Sequence, residues 1–251
     1  MPIRVSTLSK DMLNFFRYQF SSIMFLVLLS ALISVVLGHA LSPGCGQLMM
    51  LNNADYINET TNMSLYQLVE EMSIDQQRIL FKAAIAGTLS SLLGNVVLSG
   101  ALLTIIRMVS NRQPVSVFNA ISLSVPLLTR LTVLIFLTTV LVQLGLLLII
   151  VPGFLLAIAF SLAPVIIATR DNAGAIKSMS ISASLAFPNL RLLAPAVLLW
   201  LLAKVALLLL ATQYVMISPL IIGVILNVLS NLISALLLIY LYRLYMLLPQ
   251  N

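Results

Sequence analysis

Between Arg130 and Arg170 the chain runs for 39 residues, Leu131 to Thr169, without a single Asp, Glu, Lys or Arg. As one helix this stretch would measure about 58 Å at 1.5 Å per residue, nearly twice the roughly 30 Å hydrocarbon core of a bilayer. It must fold back on itself, and Val151-Pro152-Gly153 near its middle supplies turn chemistry. Composition agrees that the whole chain lives in lipid. Charged residues make up 8% of the 251 positions and hydrophobic ones 61%, against about 25% and about 45–50% in soluble domains. Soluble, disordered, fibrous and disulfide-stapled classes are excluded, leaving an all-α integral membrane protein.

Runs of about 20 uncharged apolar residues mark the crossings. They predict six spans, at 20–41, 83–106, 131–151, 152–169, 192–212 and 219–242, within a single membrane domain covering 1–251. Ser218-Pro219 marks the hairpin between the last two. The first run is about 18 residues long before Gly38, too long for the 7–15 residues of a signal-peptide core, so it reads as a retained helix.

Six spans put both termini on one side, and the basic residues say which. Ten fall on the side of the termini: Arg4, Lys10, Arg17, Arg107, Arg112, Arg130, Arg170, Lys177, Arg191 and Arg243. Arg78 and Lys82 alone fall on the other. The net charge of +6 thus reads as membrane orientation, with cytoplasmic N- and C-termini, and not as a nucleic-acid surface. The opposite face carries one sizeable segment, 42–82, which holds five of the seven acids. Within it Thr61-Asn62-Met63-Ser64 looks like a helix start, and Ser73 is placed to cap a helix running into the second span.

Ser122-Leu123-Ser124-Val125-Pro126 recurs as Ser184-Leu185-Ala186-Phe187-Pro188, an offset of 62 that also carries the second span onto the fourth and the third onto the fifth. This spacing suggests a tandem two-helix repeat, with both copies in the same orientation. The connectors inside the units have apolar residues at helical spacing: Phe118, Ile121, Val125 and Leu128 in one, Ile176, Met179, Ala183 and Phe187 in the other. Both are expected to form membrane-surface helices, the first after Pro114 and the second after Asp171-Asn172.

Chemistry-bearing residues are few. Lys204 is the one ionisable residue deep in a span, about 12 Å from its helix end, and no span contains an Asp or Glu to pair with it. It either lines a polar cavity or extends its stem toward the outer face. Asn227, Ser230, Asn231 and Ser234 share one face of the sixth span, and Asn95 and Gln143 are amides in the second and third. Lys204, Asn95, Asn227 and Asn231 are therefore candidates for a polar path, the alternative being hydrogen-bonded glue between helices. In the second span Ala83-Gly87-Ser91 and Ala86-Ser90-Gly94 form small-residue ridges for close helix packing. With one His, at the outer end of the first span, and one Cys, no Ser/His/Asp set or Cys/His metal site can be read, and no nucleotide- or cofactor-binding motif occurs. No catalytic, cofactor or metal residues are assigned, and an enzyme is not expected.

The chain resembles, end to end, the YciC family of bacterial inner-membrane proteins, which has no established function. The resemblance is carried by Asn14-Phe15-Phe16-Arg17, Val35-Val36-Leu37-Gly38-His39, Ile135-Phe136-Leu137-Thr138-Thr139, Leu162-Ala163-Pro164-Val165, Leu193-Ala194-Pro195-Ala196-Val197, Trp200-Leu201-Leu202-Ala203-Lys204, Leu229-Ser230-Asn231-Leu232-Ile233-Ser234-Ala235 and Arg243-Leu244-Tyr245-Met246-Leu247. It implies a Gram-negative inner membrane, with 42–82 in the periplasm, and brings no catalytic residues. A small-solute transport or permease component and a non-transporting scaffold or envelope-maintenance protein both fit this reading, with the lipid bilayer as the one partner it names.

Overall fold

The computed structural model describes residues 5–44, 72–114, 116–148, 150–170, 173–213 and 219–248. Nine helices occupy them: α1 (Val5–Tyr18), α2 (Phe20–Leu41), α3 (Ile74–Ser110), α4 (Val117–Leu148), α5 (Ile150–Phe160), α6 (Ala163–Thr169), α7 (Ala175–Ala186), α8 (Leu190–Gln213) and α9 (Pro219–Leu247). Among the described residues there is no strand. Six segments are long and apolar enough to cross a membrane: α2, α3, α4, Val151–Thr169 across α5 and α6, Leu190–Ala211 of α8 and Gly223–Leu247 of α9. Cys45, the helix start at Thr61, the Asp171-Asn172 cap and the 214–218 hairpin lie outside the described residues.

Lipid cannot satisfy backbone groups, so each span is a helix, and its breaks fall where proline removes a donor. Pro164 has no N–H for the Phe160 carbonyl, and the fourth span splits there into α5 and α6. The Val151-Pro152-Gly153 turn expected from sequence sits instead inside the first turn of α5, where proline is favoured. The fold-back comes just before it, and Gly145 and Gly153 let α4 and α5 approach. A Cβ added at Gly145 would lie 2.9 Å from the Gly153 Cα.

Two helices exceed the spans read from sequence by about three turns, α8 and α9 by less. α3 has 37 residues, about 56 Å, and begins at Ser73 with a reciprocal capping box: the Ser73 Oγ accepts from the Gln76 N–H and the Gln76 Oε1 accepts from the Ser73 N–H at 3.0 Å. α4 runs unbroken through the first connector and the third span, with Pro126 inside it. The separate surface helix expected there is thus fused to its span. In the second connector α7 is separate, because Asn189 follows Pro188 and its Nδ2 donates to the Leu185 carbonyl at 2.9 Å, closing the helix end. The two Ser-Leu-Xaa-Xaa-Pro copies therefore have different local structures. The buried face of α7 also differs from the expected apolar stripe: Ser178, Met179, Ser182 and Ala186 face inward while Ile176 and Phe187 are exposed. Small residues let α7 come close enough for the Ser182 hydroxyl to donate to the Ala159 carbonyl of α5 at 2.6 Å.

The packing centre is α2, held between α3 and α9. Its residues Ser30, Ser34 and Gly38, spaced by four, face Ser90 and Gly94 of α3. Of the two small-residue ridges on α3, only Ala86-Ser90-Gly94 is buried; Gly87 has no neighbouring atom within 4 Å of an added Cβ. At Gly94 an added Cβ would collide with the Ser34 Oγ and approach the Ser30 carbonyl at 3.0 Å. α1, a helix absent from the spans read above, lays Leu8 and Phe15 into the core and packs on α9, with the Arg243 guanidinium 5.7 Å from the Phe15 ring centre. This asymmetry between the ridges predicts that Gly94→Leu forces α2 from α3 and destabilises the purified protein by about 1–3 kcal/mol, whereas Gly87→Leu changes little. Detergent-solubilised thermal unfolding of the two variants measures the difference, and equal effects would contradict the packing.

Candidate functional site

The polar residues of α9 divide between two neighbours. Asn231 is buried, and its Nδ2 donates to the Ser30 Oγ of α2 at 2.9 Å, across 201 residues of sequence. Ser30 in turn donates to the Val27 carbonyl, and the Ser34 hydroxyl donates to the Ser30 carbonyl, both at 3.0 Å. About 100° around the helix, Ser230 and Ser234 face α8. The Lys204 ammonium donates to the Ser230 carbonyl at 2.9 Å and also to the Ser230 hydroxyl, while lying 5.6 Å from the centre of the Trp200 ring. The Trp200 indole N–H reaches the Ser234 Oγ at 3.4 Å, and Ser234 donates back to the Ser230 carbonyl at 3.0 Å. The face read as one stripe is thus two clusters with separate duties.

The other candidates stand apart from these clusters. Asn227 donates to the Gly223 carbonyl of its own helix at 2.9 Å, the turn-back bond of a polar side chain in an apolar helix. Asn95 is half-buried on α3, and Gln143, expected inside the third span, is exposed. The structure brings Asn231 to α2 and Lys204 to Ser230, and it does not bring Asn95, Asn227 or Gln143 into either cluster. Lys204 lies among neutral partners: the two described carboxylates, Asp11 and Asp75, are on α1 and at the start of α3. A cation-π contact and a charge-assisted bond to a carbonyl suit an amine in a low-dielectric setting.

A second feature was not legible in the sequence as a site. At the end of the bundle where α3 and α6 finish and α4 passes, a cavity of about 480 Å³ is lined by Arg107, Arg130, Thr104, Thr169, Asn111 and Gln113, with Tyr242 of α9 behind them. Arg130 is anchored: its Nη2 donates to the Arg170 carbonyl at 3.4 Å and to the Ala173 carbonyl, beyond the end of α6. The α3 terminus is shaped by a Schellman motif, with Gln113 N–H bonded to the Met108 carbonyl at 2.9 Å and Arg112 N–H to the Val109 carbonyl at 3.0 Å. Its left-handed position, usually glycine, is Arg112 at φ 56°. Holding a side chain there costs about 1 kcal/mol and turns the chain so that Asn111 and Gln113 edge the cavity. No His, Cys, Asp or Glu cluster suited to a metal occurs among the described residues.

The model of the family described as "Uncharacterised protein family (UPF0259)" matches residues 1–247. A UPF0259 membrane protein of Sodalis glossinidius is 72% identical over 250 residues, covering 100% of both chains. One from Pectobacterium carotovorum is 47% identical, covering 99% of each, and one from Yersinia pestis (strain Pestoides F) is 45% identical, covering 99% of this chain and 97% of the relative. No solved structure matches.

Proposed function

The chain belongs to the UPF0259 family of uncharacterised bacterial membrane proteins, and from that premise we propose that it is a small-solute transport or permease component of the inner membrane, with both termini in the cytoplasm. The orientation rests on the ten-to-two distribution of basic residues.

One observation carries the transport reading. Lys204 sits midway along α8, an ionisable amine whose described partners, Ser230 and Trp200, are all neutral. A charge at such depth costs about 2.5–3.5 kcal/mol on insertion scales and is functional by default. α8 packs less tightly than its neighbours, its main partner being α9, so the Lys204 cluster lies at the seam where helices separate with least loss. A positive group at that seam suits an anionic or carbonyl-bearing solute. One observation favours the scaffold reading: Lys204 lines neither the basic cavity nor an apolar cleft of about 350 Å³ beside Trp200 and Ala203. On that reading it fastens α8 to α9 and does nothing more.

Two experiments test these statements. A reporter active only in the cytoplasm is expected to work when fused after Arg112, Lys177 or Asn251 and to fail after Asn53; the reverse pattern would overturn the orientation. For transport, cells lacking the protein are compared with wild type for uptake of small anionic solutes, then supplied with variants. Lys204→Leu removes the buried charge, so it is expected to insert at normal levels yet leave uptake uncorrected, while Lys204→Arg restores it in part. Full correction by Lys204→Leu would leave the scaffold reading in its place.

A further inference from the structure

We propose that the cavity between α3, α4, α6 and α9 is a binding site for a phosphate-bearing anion, and that its occupant is the headgroup of an anionic phospholipid. Arg107 and Arg130 both line it, from different helices. Guanidinium groups donate strongly to phosphate oxygens, and Arg130 keeps its Nε and Nη1 hydrogens for single bonds of this kind after Nη2 is taken by backbone carbonyls. Arg130 is held in place by the Arg170 and Ala173 carbonyls through one nitrogen, Nη2, so the group is positioned before any ligand arrives. Asn111 adds an amide at the rim, where the left-handed Arg112 bends the chain.

The rest of the lining separates a lipid from a free anion. Leu103, Leu123 and Leu127 also line the cavity, on the same two helices as the arginines and about one helical turn or more from them. At about 480 Å³ the cavity lies within the roughly 300–1,000 Å³ of ligand sites, whereas one liquid water takes up about 30 Å³. A small inorganic ion would leave the leucines uncovered, while a glycerophosphate with its first acyl carbons presents charge to the arginines and hydrocarbon to the leucines. The position fits as well. Basic pockets between spans at the cytoplasmic end are where headgroups of acidic lipids are recognised, and the cavity lies at the end richest in Arg and Lys. It is about 18 Å along α9 from Ser230, twelve residues from Tyr242, so it does not depend on the role given to Lys204.

The test uses the full-length protein in nanodiscs of phosphatidylcholine carrying spin-labelled phosphatidylglycerol or spin-labelled phosphatidylcholine. Wild type is expected to immobilise the phosphatidylglycerol label preferentially. Arg107→Gln is expected to weaken that binding about tenfold without changing the phosphatidylcholine signal, and Arg107→Lys to weaken it less. Leu127→Trp fills the space beside the leucines without touching a charge and is expected to abolish the preference too. Both variants are first shown to unfold thermally at the wild-type temperature, and a third, Thr104→Leu, replaces them if they do not. Millimolar inorganic phosphate, compared with chloride at equal ionic strength, distinguishes the sources. Retention of the lipid supports the headgroup, while its displacement assigns the site to free phosphate and overturns the lipid. No preference for phosphatidylglycerol in wild type, or a preference that survives both Arg107→Gln and Leu127→Trp, overturns the site.

Discussion

The bond from Asn231 to Ser30 ties the last span to the first, and the rest of the bundle is arranged around it. In hydrocarbon a side-chain amide has no water to fall back on, so its partner must come from another helix. Such bonds contribute only about 0.6–1.7 kcal/mol, too little to hold a membrane protein together alone. Their weight lies in position. The bond fixes α9 against the face of α2 whose neighbouring side is the Ser30, Ser34 and Gly38 ridge, and that ridge admits α3 at close range. One polar pair and one seam of small residues thereby set the order α9, α2, α3.

Around that centre the apolar core continues through Ile158, Leu162, Val165 and Ile166 in the middle of the chain. α7 is fastened to α5 by the bond from the Ser182 hydroxyl to the Ala159 carbonyl, and Pro164 marks the break between α5 and α6. α8 is the outlying helix. Tyr240 donates to the Leu192 carbonyl at 2.9 Å near one end, and the Lys204–Ser230 pair holds it farther along. Leu193 and Val197 of the same helix are buried in the core and Trp200 reaches Ser234, while most of its other large apolar side chains are exposed. The basic cavity occupies a different place, where the connector half of α4 leans over the end of α3, and the two features need not share a task.

The spans were legible because hydrocarbon demands continuous apolar helix, a constraint that local composition reports directly. The Ser73 cap was legible for the same reason: its hydrogen bonds involve residues three apart. What required tertiary information was not. Leu8, Met12, Phe15 and Phe16 of α1 show helical spacing, yet the charges around them read first as a flanking segment. The fusion of the first connector with α4 was hidden because Pro126 marks a kink as readily as a boundary. Of the polar candidates, the pattern located Asn231 and Lys204 correctly on their helices, but a single face at i, i+3, i+4 and i+7 is wide enough to serve two neighbours. Ser30, the partner of Asn231, is one serine among many in an apolar run. The cavity residues come from segments as distant as Thr104 and Tyr242, and no spacing rule joins them.

Closure of the bundle by its first and last spans is the claim on which the other contacts depend, and proximity in the membrane tests it most directly. Ser30→Cys and Asn231→Cys are combined in a background carrying Cys45→Ser, with a protease site placed in the 45–71 segment. Native membranes are treated with a short thiol-specific cross-linker and then with the protease. The account predicts an intramolecular link that keeps the two fragments together on a denaturing gel, while Cys at exposed Leu32 with Asn231→Cys gives no such product. Fragments that separate despite cross-linking, or links that form only between two copies, would contradict it.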